Sequence, residues 1–184
     1  MKQWLLPLCL WLSACTGVPE NVEPVQGFEL DRYLGKWYEI ARLDHSFERG
    51  LSHVTAEYSR NEDGTVRVVN RGFSMGEGEW QEAVGKARFA GDPGTAHLEV
   101  SFFGPFYASY VVAALDGDYR YALVVGYNRD YLWILARDKK MPQAELAQLL
   151  QKARELGYDT DQLIFVDHSG EPSGSRQSSP EQSR

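Results

Sequence analysis

The sequence predicts an all-β fold, an eight-stranded antiparallel up-and-down β-barrel with one C-terminal α-helix packed outside it. Three observations lead there. Eight short runs rich in β-branched and aromatic residues follow one another between residues 37 and 137, separated by turn signals. One later stretch has helical spacing instead. The chain also carries 10 Tyr, 8 Phe and 5 Trp in 184 residues, bulk that suits pleated surfaces and apolar pockets. One domain of ordinary size accounts for this length. Closing a sheet on itself removes its edges, and eight strands leave room inside for one small ligand.

The N-terminus reads as a sorting signal over residues 1–14. Lys2 precedes an apolar run over 4–12 and then small residues, a layout too short for a permanent membrane span. The end of the run, Leu12-Ser13-Ala14-Cys15, resembles the bacterial lipobox. That resemblance implies diacylglycerol on the Cys15 thiol, cleavage just before it, and acylation of the new amino terminus. Each buried methylene contributes about 0.8 kcal/mol, so two or three acyl chains hold where one binds marginally. Thr16 stands where an aspartate would signal inner-membrane retention, so the pattern implies anchoring in the outer membrane, facing the periplasm. Cys9 leaves with the signal and Cys15 is consumed, so the mature chain has no thiol for a disulfide. Residues 15–26 are read as the lipidated cysteine and a spacer, 27–168 as the folded domain, and 169–184 as a disordered tail without large apolar side chains.

Within the domain, residues 37–43 and 54–59 form the first two runs, the second ending in Asn61-Glu62-Asp63-Gly64, a strong hairpin turn. Runs over 65–73, 80–89, 97–103 and 107–115 follow. Asp116-Gly117-Asp118 makes another turn before 121–127 and 131–137. Pro142 then suits the first turn of a helix, and Leu146, Leu149, Leu150, Ala153 and Leu156 form one apolar stripe stopped by Gly157. Such a stripe is a packing face for the outside of the barrel. A short strand over 162–166 closes the domain.

Charge and motif content exclude several classes. With 19 Lys and Arg against 26 Asp and Glu, the net charge is -7, which is the wrong sign for neutralising nucleic-acid phosphates. His45, His53, His97 and His168 show no metal-ligand spacing, so no metal or other cofactor is expected. The mature chain offers no thiol nucleophile, which argues against an enzyme. Glu39 is expected to point inward and to hydrogen-bond a tyrosine near the barrel floor.

Three motifs then identify a family. Gly35-Lys36-Trp37 opens the first strand, Asp118-Tyr119 sits in the turn before the seventh, and Arg137 ends the eighth. In this order, with eight strands and a terminal helix, the chain resembles the lipocalins. The stretches YLGKWYEIARLDHSFERG, VSFFGPFY and RDYLWILAR extend the likeness to the bacterial outer-membrane members. The resemblance implies that Trp37 closes the barrel floor, that Arg137 lies across its indole in a cation–π contact worth about 0.5–2 kcal/mol, and that Gly35 lets the preceding turn approach. It implies structural roles for Gly35, Trp37, Asp118, Tyr119 and Arg137. It also implies fatty acids or lysophospholipids as ligands, and is compatible with a homodimer. This chain departs from the family by lacking a disulfide and by Gly117 where threonine is commoner.

Alternation from Trp37 assigns the inward faces. These are Val54, Ala56 and Tyr58; Gly85, Ala87 and Phe89; Leu98, Val100 and Phe102; Tyr110, Val112 and Ala114; Leu123, Val125 and Tyr127; and Tyr131, Trp133 and Leu135. Their ligand-binding members are taken as Val54, Ala56, Tyr58, Ala87, Phe89, Val100, Phe102, Tyr110, Val112, Ala114, Leu123, Val125, Tyr127 and Trp133. A slip of one residue inverts any of these lists. The small members leave volume for an elongated amphiphile, whose polar head stays near His45, Phe47, Glu48 and Arg49 in the loop after the first strand. Arg49 is the candidate partner for a carboxylate or phosphate. The reading is therefore a membrane-anchored lipid carrier, with a carrier of haem or another small apolar ligand, or a lipocalin-fold enzyme, as the alternatives.

Overall fold

A computed structural model describes residues 16–170 and 172. The expected signal peptide (1–14) and Cys15, and nearly all of the expected tail (169–184), lie outside the described residues. A short helix α1 (Leu30–Tyr33) leads into strands β1 (Gly35–Arg42), β2 (Leu51–Arg60), β3 (Val66–Ser74), β4 (Glu79–Phe89), β5 (His97–Ser101), β6 (Ala108–Leu115), β7 (Tyr121–Val125) and β8 (Leu132–Ala136). Helix α2 (Gln143–Glu155), a single 3-10 turn and strand β9 (Ile164–Phe165) follow. Consecutive strands pair antiparallel, and β1 pairs with both β2 and β8, so the eight-stranded sheet closes on itself.

Local chemistry sets the hairpins where the sequence signals them. In the β2–β3 turn Gly64 adopts φ 80°, which its missing Cβ permits, and Asn61 N–H donates to the Thr65 carbonyl at 2.8 Å. The Asp63 carboxylate accepts from Thr65 N–H at 3.0 Å and from Lys86 at 2.8 Å, which holds it well below the usual carboxylate range. The β6–β7 turn is held by Asp116, not by the motif residue Asp118. Asp116 accepts backbone N–H groups of Asp118, Arg120 and Tyr121, whereas Asp118 is exposed.

Pro142 stands just before the first residue of α2. The helix ends with Gly157 at φ 84°, its N–H donating to Arg154 and that of Tyr158 to Ala153, which satisfies carbonyls the last turn leaves open. Its stripe packs on the outer face of β1, β6, β7 and β8, together with Val18 and Val22 of the N-terminal segment. A second cluster, built on Trp37, Phe28, Tyr33 and Val112, fills the closed end of the barrel.

Those two clusters correct the inward face expected for part of the wall. Leu123 and Val125 belong to the outer cluster under α2, while their neighbours Ala122 and Val124 face the interior. All four are fully buried, so β7 shows no apolar–polar alternation from which to read its phase. Ala114 also packs outward. A bulge between Val112 and Ala114 shifts the register of β6 against β7 and breaks the period of two.

The open end has a seam. β1 pairs with β2 only from Gly35 to Tyr38, and beyond that β9 takes the vacated flank, Ala41 facing Phe165 and Arg42 facing Ile164. The chain then bridges both strands. Val166 N–H donates to the Ile40 carbonyl at 3.0 Å, and His53 N–H to the Asp167 carbonyl at 2.9 Å. His168 Nε2 lies 2.7 Å from the Glu39 carbonyl oxygen, and His53 Nε2 3.1 Å from that of Ser169. Ser169 and Gly170 thus pack at the barrel rim, their carbonyl oxygens 3.1 and 3.3 Å from His53 Nε2.

Candidate functional site

The closed end is built first, because it fixes the depth of the interior. Gly35 (φ 91°) turns the chain out of α1 into β1 so that Trp37 enters the barrel fully buried, its indole N–H donating to the Tyr33 carbonyl at 2.8 Å. The Arg137 guanidinium lies 3.9 Å from the Trp37 ring centroid. Its three nitrogens donate to the carbonyls of Tyr119, Lys36, Arg32 and Tyr33 at 2.8–3.1 Å. One side chain thereby ties β8, the β6–β7 turn, α1 and β1 together. A Cβ on Gly35 would stand 3.5 Å from Arg137 Nη1, so the glycine is required chiefly by its φ. Tyr119 also serves the floor, its hydroxyl accepting the Glu29 N–H at 2.9 Å while Arg32 stacks 4.1 Å from its ring.

Above this floor three phenols meet. Tyr110 Oη lies 2.7 Å from Tyr33 Oη and 2.9 Å from Tyr58 Oη. Burial pushes all three well above the ordinary phenol range, so they remain neutral and satisfy one another. Their ring edges and hydroxyls form the bottom of a cavity of about 620 Å³ that opens at the other end of the barrel, within the 300–1,000 Å³ typical of small-molecule sites.

Of the sequence-assigned residues, Ala56, Tyr58, Ala87, Val100, Phe102, Tyr110, Tyr127 and Trp133 line this cavity. Six do not. Leu123, Val125 and Ala114 face the outer cluster for the reasons given above. Phe89 and Val112 point inward but belong to the packed closed end, where Phe89 meets Phe28 edge-on at 6.2 Å. Val54 is buried beside Gly72, a Cβ on which would come within 3.2 Å of its methyl. The structure adds Leu30 and Tyr33 from α1, Val66, Val68 and Asn70 from β3, and the mouth residues Phe103, Phe106 and Tyr107. The β3 set alternates, so fixing its phase from the Asn61–Gly64 turn would have found it. Nothing in the periodicity marks α1.

The wall near the mouth holds a buried ionic group. Glu39 accepts from Arg42 Nη1 at 2.7 Å rather than from a floor tyrosine, and Arg42 Nη2 donates to the Glu48 carbonyl at 2.7 Å. Glu48 Oε2 accepts the Trp133 indole N–H at 2.9 Å and lies 2.9 Å from His45 Nε2, outside hydrogen-bonding alignment. Burial pushes the Glu39 carboxyl well above the ordinary carboxylate range, the Glu48 charge adds to this, and Arg42 opposes it. The Glu39 carboxyl therefore holds its proton more readily than an exposed acid would. Arg49 is not free at the entrance, since two of its nitrogens hold the Asp44 carboxylate at 2.7–2.9 Å. Among the described lining residues, the cation is Arg71, half-exposed and 3.5 Å from Glu82.

Residues 28–168 match the family model described as a lipocalin-like domain. The chain is a lipocalin. It is 53% identical to the outer membrane lipoprotein Blc of Vibrio cholerae over 168 residues, 90% of this chain and 98% of that one. The Blc protein of Escherichia coli K12 is 50% identical over 152 residues, 83% of this lipocalin and 86% of its relative. Among solved structures, insecticyanin of the tobacco hornworm superposes with a TM-score of 0.70 at 22% identity, covering 88% of this chain and 92% of that one. That likeness concerns the fold alone. Lipocalins are in general binding proteins, and an open apolar cup over a closed floor is the geometry this requires.

Proposed function

We propose that this lipocalin binds an amphiphile with one long acyl chain, a fatty acid or a lysophospholipid, and stores or ferries it at the outer membrane, to which acylated Cys15 anchors the periplasmic-facing domain. The open, aromatic-rich cavity of about 620 Å³ carries the reading. Burying about fifteen methylenes contributes roughly 12 kcal/mol gross at about 0.8 each, of which immobilisation removes a large share. The tail enters toward the three phenols, and the head stays hydrated at the mouth, where Arg71 offers the positive charge that Arg49 does not. Two relatives named outer membrane lipoproteins, at 50–53% identity, support the location. Binding without turnover fits a chain whose two cysteines both fall in the first fifteen residues.

Delipidated protein is expected to bind a fluorescent fatty acid saturably and to release it to palmitate or lysophosphatidylcholine. Absence of saturable binding by either would reject the ligand class. Mass spectrometry of lipids co-purifying with membrane-extracted protein would identify the physiological one.

A further inference from the structure

The bottom of the cavity carries a hydrogen-bond donor that the protein itself does not satisfy. Among the described residues, the hydroxyls of Tyr33, Tyr58 and Tyr110 make two hydrogen bonds, both within the trio, at 2.7 and 2.9 Å. Burial keeps all three neutral, so each retains its proton. Two oxygen–oxygen contacts use two of the three protons. The bonds can run through Tyr110 in either direction, or enter it from both sides. In every arrangement one O–H is left without a protein acceptor.

All three residues line the cavity, so that O–H is available to whatever oxygen reaches its deep end. Positive charge stands behind the trio, since Arg137 donates to the Tyr33 carbonyl at 3.1 Å. An electron-rich atom is therefore favoured there. A second polar group lies one step nearer the mouth. Asn70 Oδ1 is buried without a hydrogen-bond partner, and the residue lines the same cavity. Asn70 is two residues along β3 from Val68, which faces Tyr58, a rise of about 7 Å on a strand. A plain hydrocarbon end in contact with these groups would leave a donor and an acceptor dehydrated and unpaired, which is costly.

We infer that the deep end of the cavity is a hydrogen-bonding subsite in which the phenol trio donates to an oxygen atom at the buried end of the ligand. The subsite selects an acyl chain bearing a hydroxyl or ketone near its far end over the unsubstituted chain. A fatty acid that enters carboxyl first meets the same chemistry. The subsite presupposes that the ligand occupies the cavity, as proposed above, but not which lipid it is.

Delipidated protein would be titrated, by displacement of a fluorescent fatty acid, with saturated acids from decanoate to palmitate and with their ω-hydroxy counterparts. In a wholly apolar cavity the ω-hydroxyl weakens binding at every length, because it leaves water without a partner. Here at least one ω-hydroxy acid is expected to bind as tightly as its plain counterpart, or more tightly. The combined variant Tyr33→Phe, Tyr58→Phe, Tyr110→Phe keeps the rings and removes every donor, whereas any single replacement still leaves a proton unclaimed. It is expected to lower the hydroxy-to-plain affinity ratio at least about tenfold. Weaker binding of every ω-hydroxy acid to the unaltered protein, or an unchanged ratio in a folded variant, would overturn the inference.

Nuclear Overhauser contacts in the unaltered protein give a second test that needs no variant. The ω-hydroxy acid labelled with carbon-13 at its far carbon is expected to contact assigned ring protons of Tyr58 or Tyr110. Palmitate labelled at its carboxyl carbon separates the two sources, since contact with those rings would assign the oxygen to an inverted headgroup. Neither label near either ring would overturn the subsite. Failure of every acid to displace the dye would reject the lipid reading as well, whereas tight plain acids with no hydroxyl advantage reject the subsite alone.

Discussion

Replacing Arg137 by methionine would test whether one guanidinium holds the barrel floor. The substitution keeps an apolar stem but removes four hydrogen bonds to carbonyls and the contact 3.9 Å from the Trp37 ring. Each lost bond costs about 0.5–1.5 kcal/mol net, toward the lower end here because the half-exposed carbonyls can rehydrate, and the cation–π contact is worth about 0.5–2 kcal/mol. Together these give a loss of about 3–5 kcal/mol, a large part of the 5–15 kcal/mol that stabilises a typical domain. Urea unfolding followed by far-ultraviolet circular dichroism would measure it, with an unchanged slope confirming that the same surface unfolds. Arg137→Lys keeps the charge without the planar fork and should recover less than half of the loss. In a Trp37→Leu background the cost of Arg137→Met should shrink by about 1 kcal/mol, the coupling between the two side chains. A single-variant loss below about 1 kcal/mol, or no coupling, would refute the assignment of the floor to this pair.

Further outcomes follow from the cavity and its wall. Ala87→Trp should project into the cavity and weaken fluorescent fatty-acid binding at least about tenfold, whereas the neighbouring outward position tolerates change; an unaltered Kd would place the ligand elsewhere. Asp116→Ala should cost about 1–2 kcal/mol in urea unfolding because three backbone N–H groups lose their acceptor, while exposed Asp118→Ala should stay within about 0.5 kcal/mol. The raised Glu39 carboxyl keeps its proton in the folded state at pH values where the unfolded chain has lost it. Its contribution is thus full below the ordinary glutamate range near pH 4.3 and is lost as pH rises toward the folded value, by up to about 1.4 kcal/mol per pH unit. Glu39→Gln should flatten that part of the stability–pH profile measured by urea midpoints from pH 4 upward, and parallel profiles would contradict the shift.

The barrel itself was legible because turn chemistry and the period of two agree along most strands. Asn61–Gly64, the alternation of β4 and β5, and the leucine stripe before Gly157 all carry through to the structure. Inward faces failed where that period is interrupted or unsupported. The bulge near Ala114 turns a side chain outward, and β7 is buried on both faces, so Leu123 and Val124 look alike in sequence. Asp116 and Asp118 have the same residue type and differ only in which carboxylate the turn geometry presents to the backbone. Arg49 is removed from the entrance by Asp44, a pairing set by the fold of the loop. Glu39, assigned inward correctly, found Arg42 because a register shift in β1 brings that arginine into the interior beside it.

The stitching of β1 by residues 164–168 has a consequence for biogenesis. The first strand finds its β8 partner only after about a hundred further residues, and such distant pairings slow folding. Its remaining flank is covered only by the last residues of the domain. A chain delivered amino terminus first could pair the start of β1 with β2 early, but would wait with the second half of that strand uncovered for nearly the whole domain to arrive. During that interval it is exposed to wrong partners, and premature termination anywhere before His168 would leave the rim permanently unlatched.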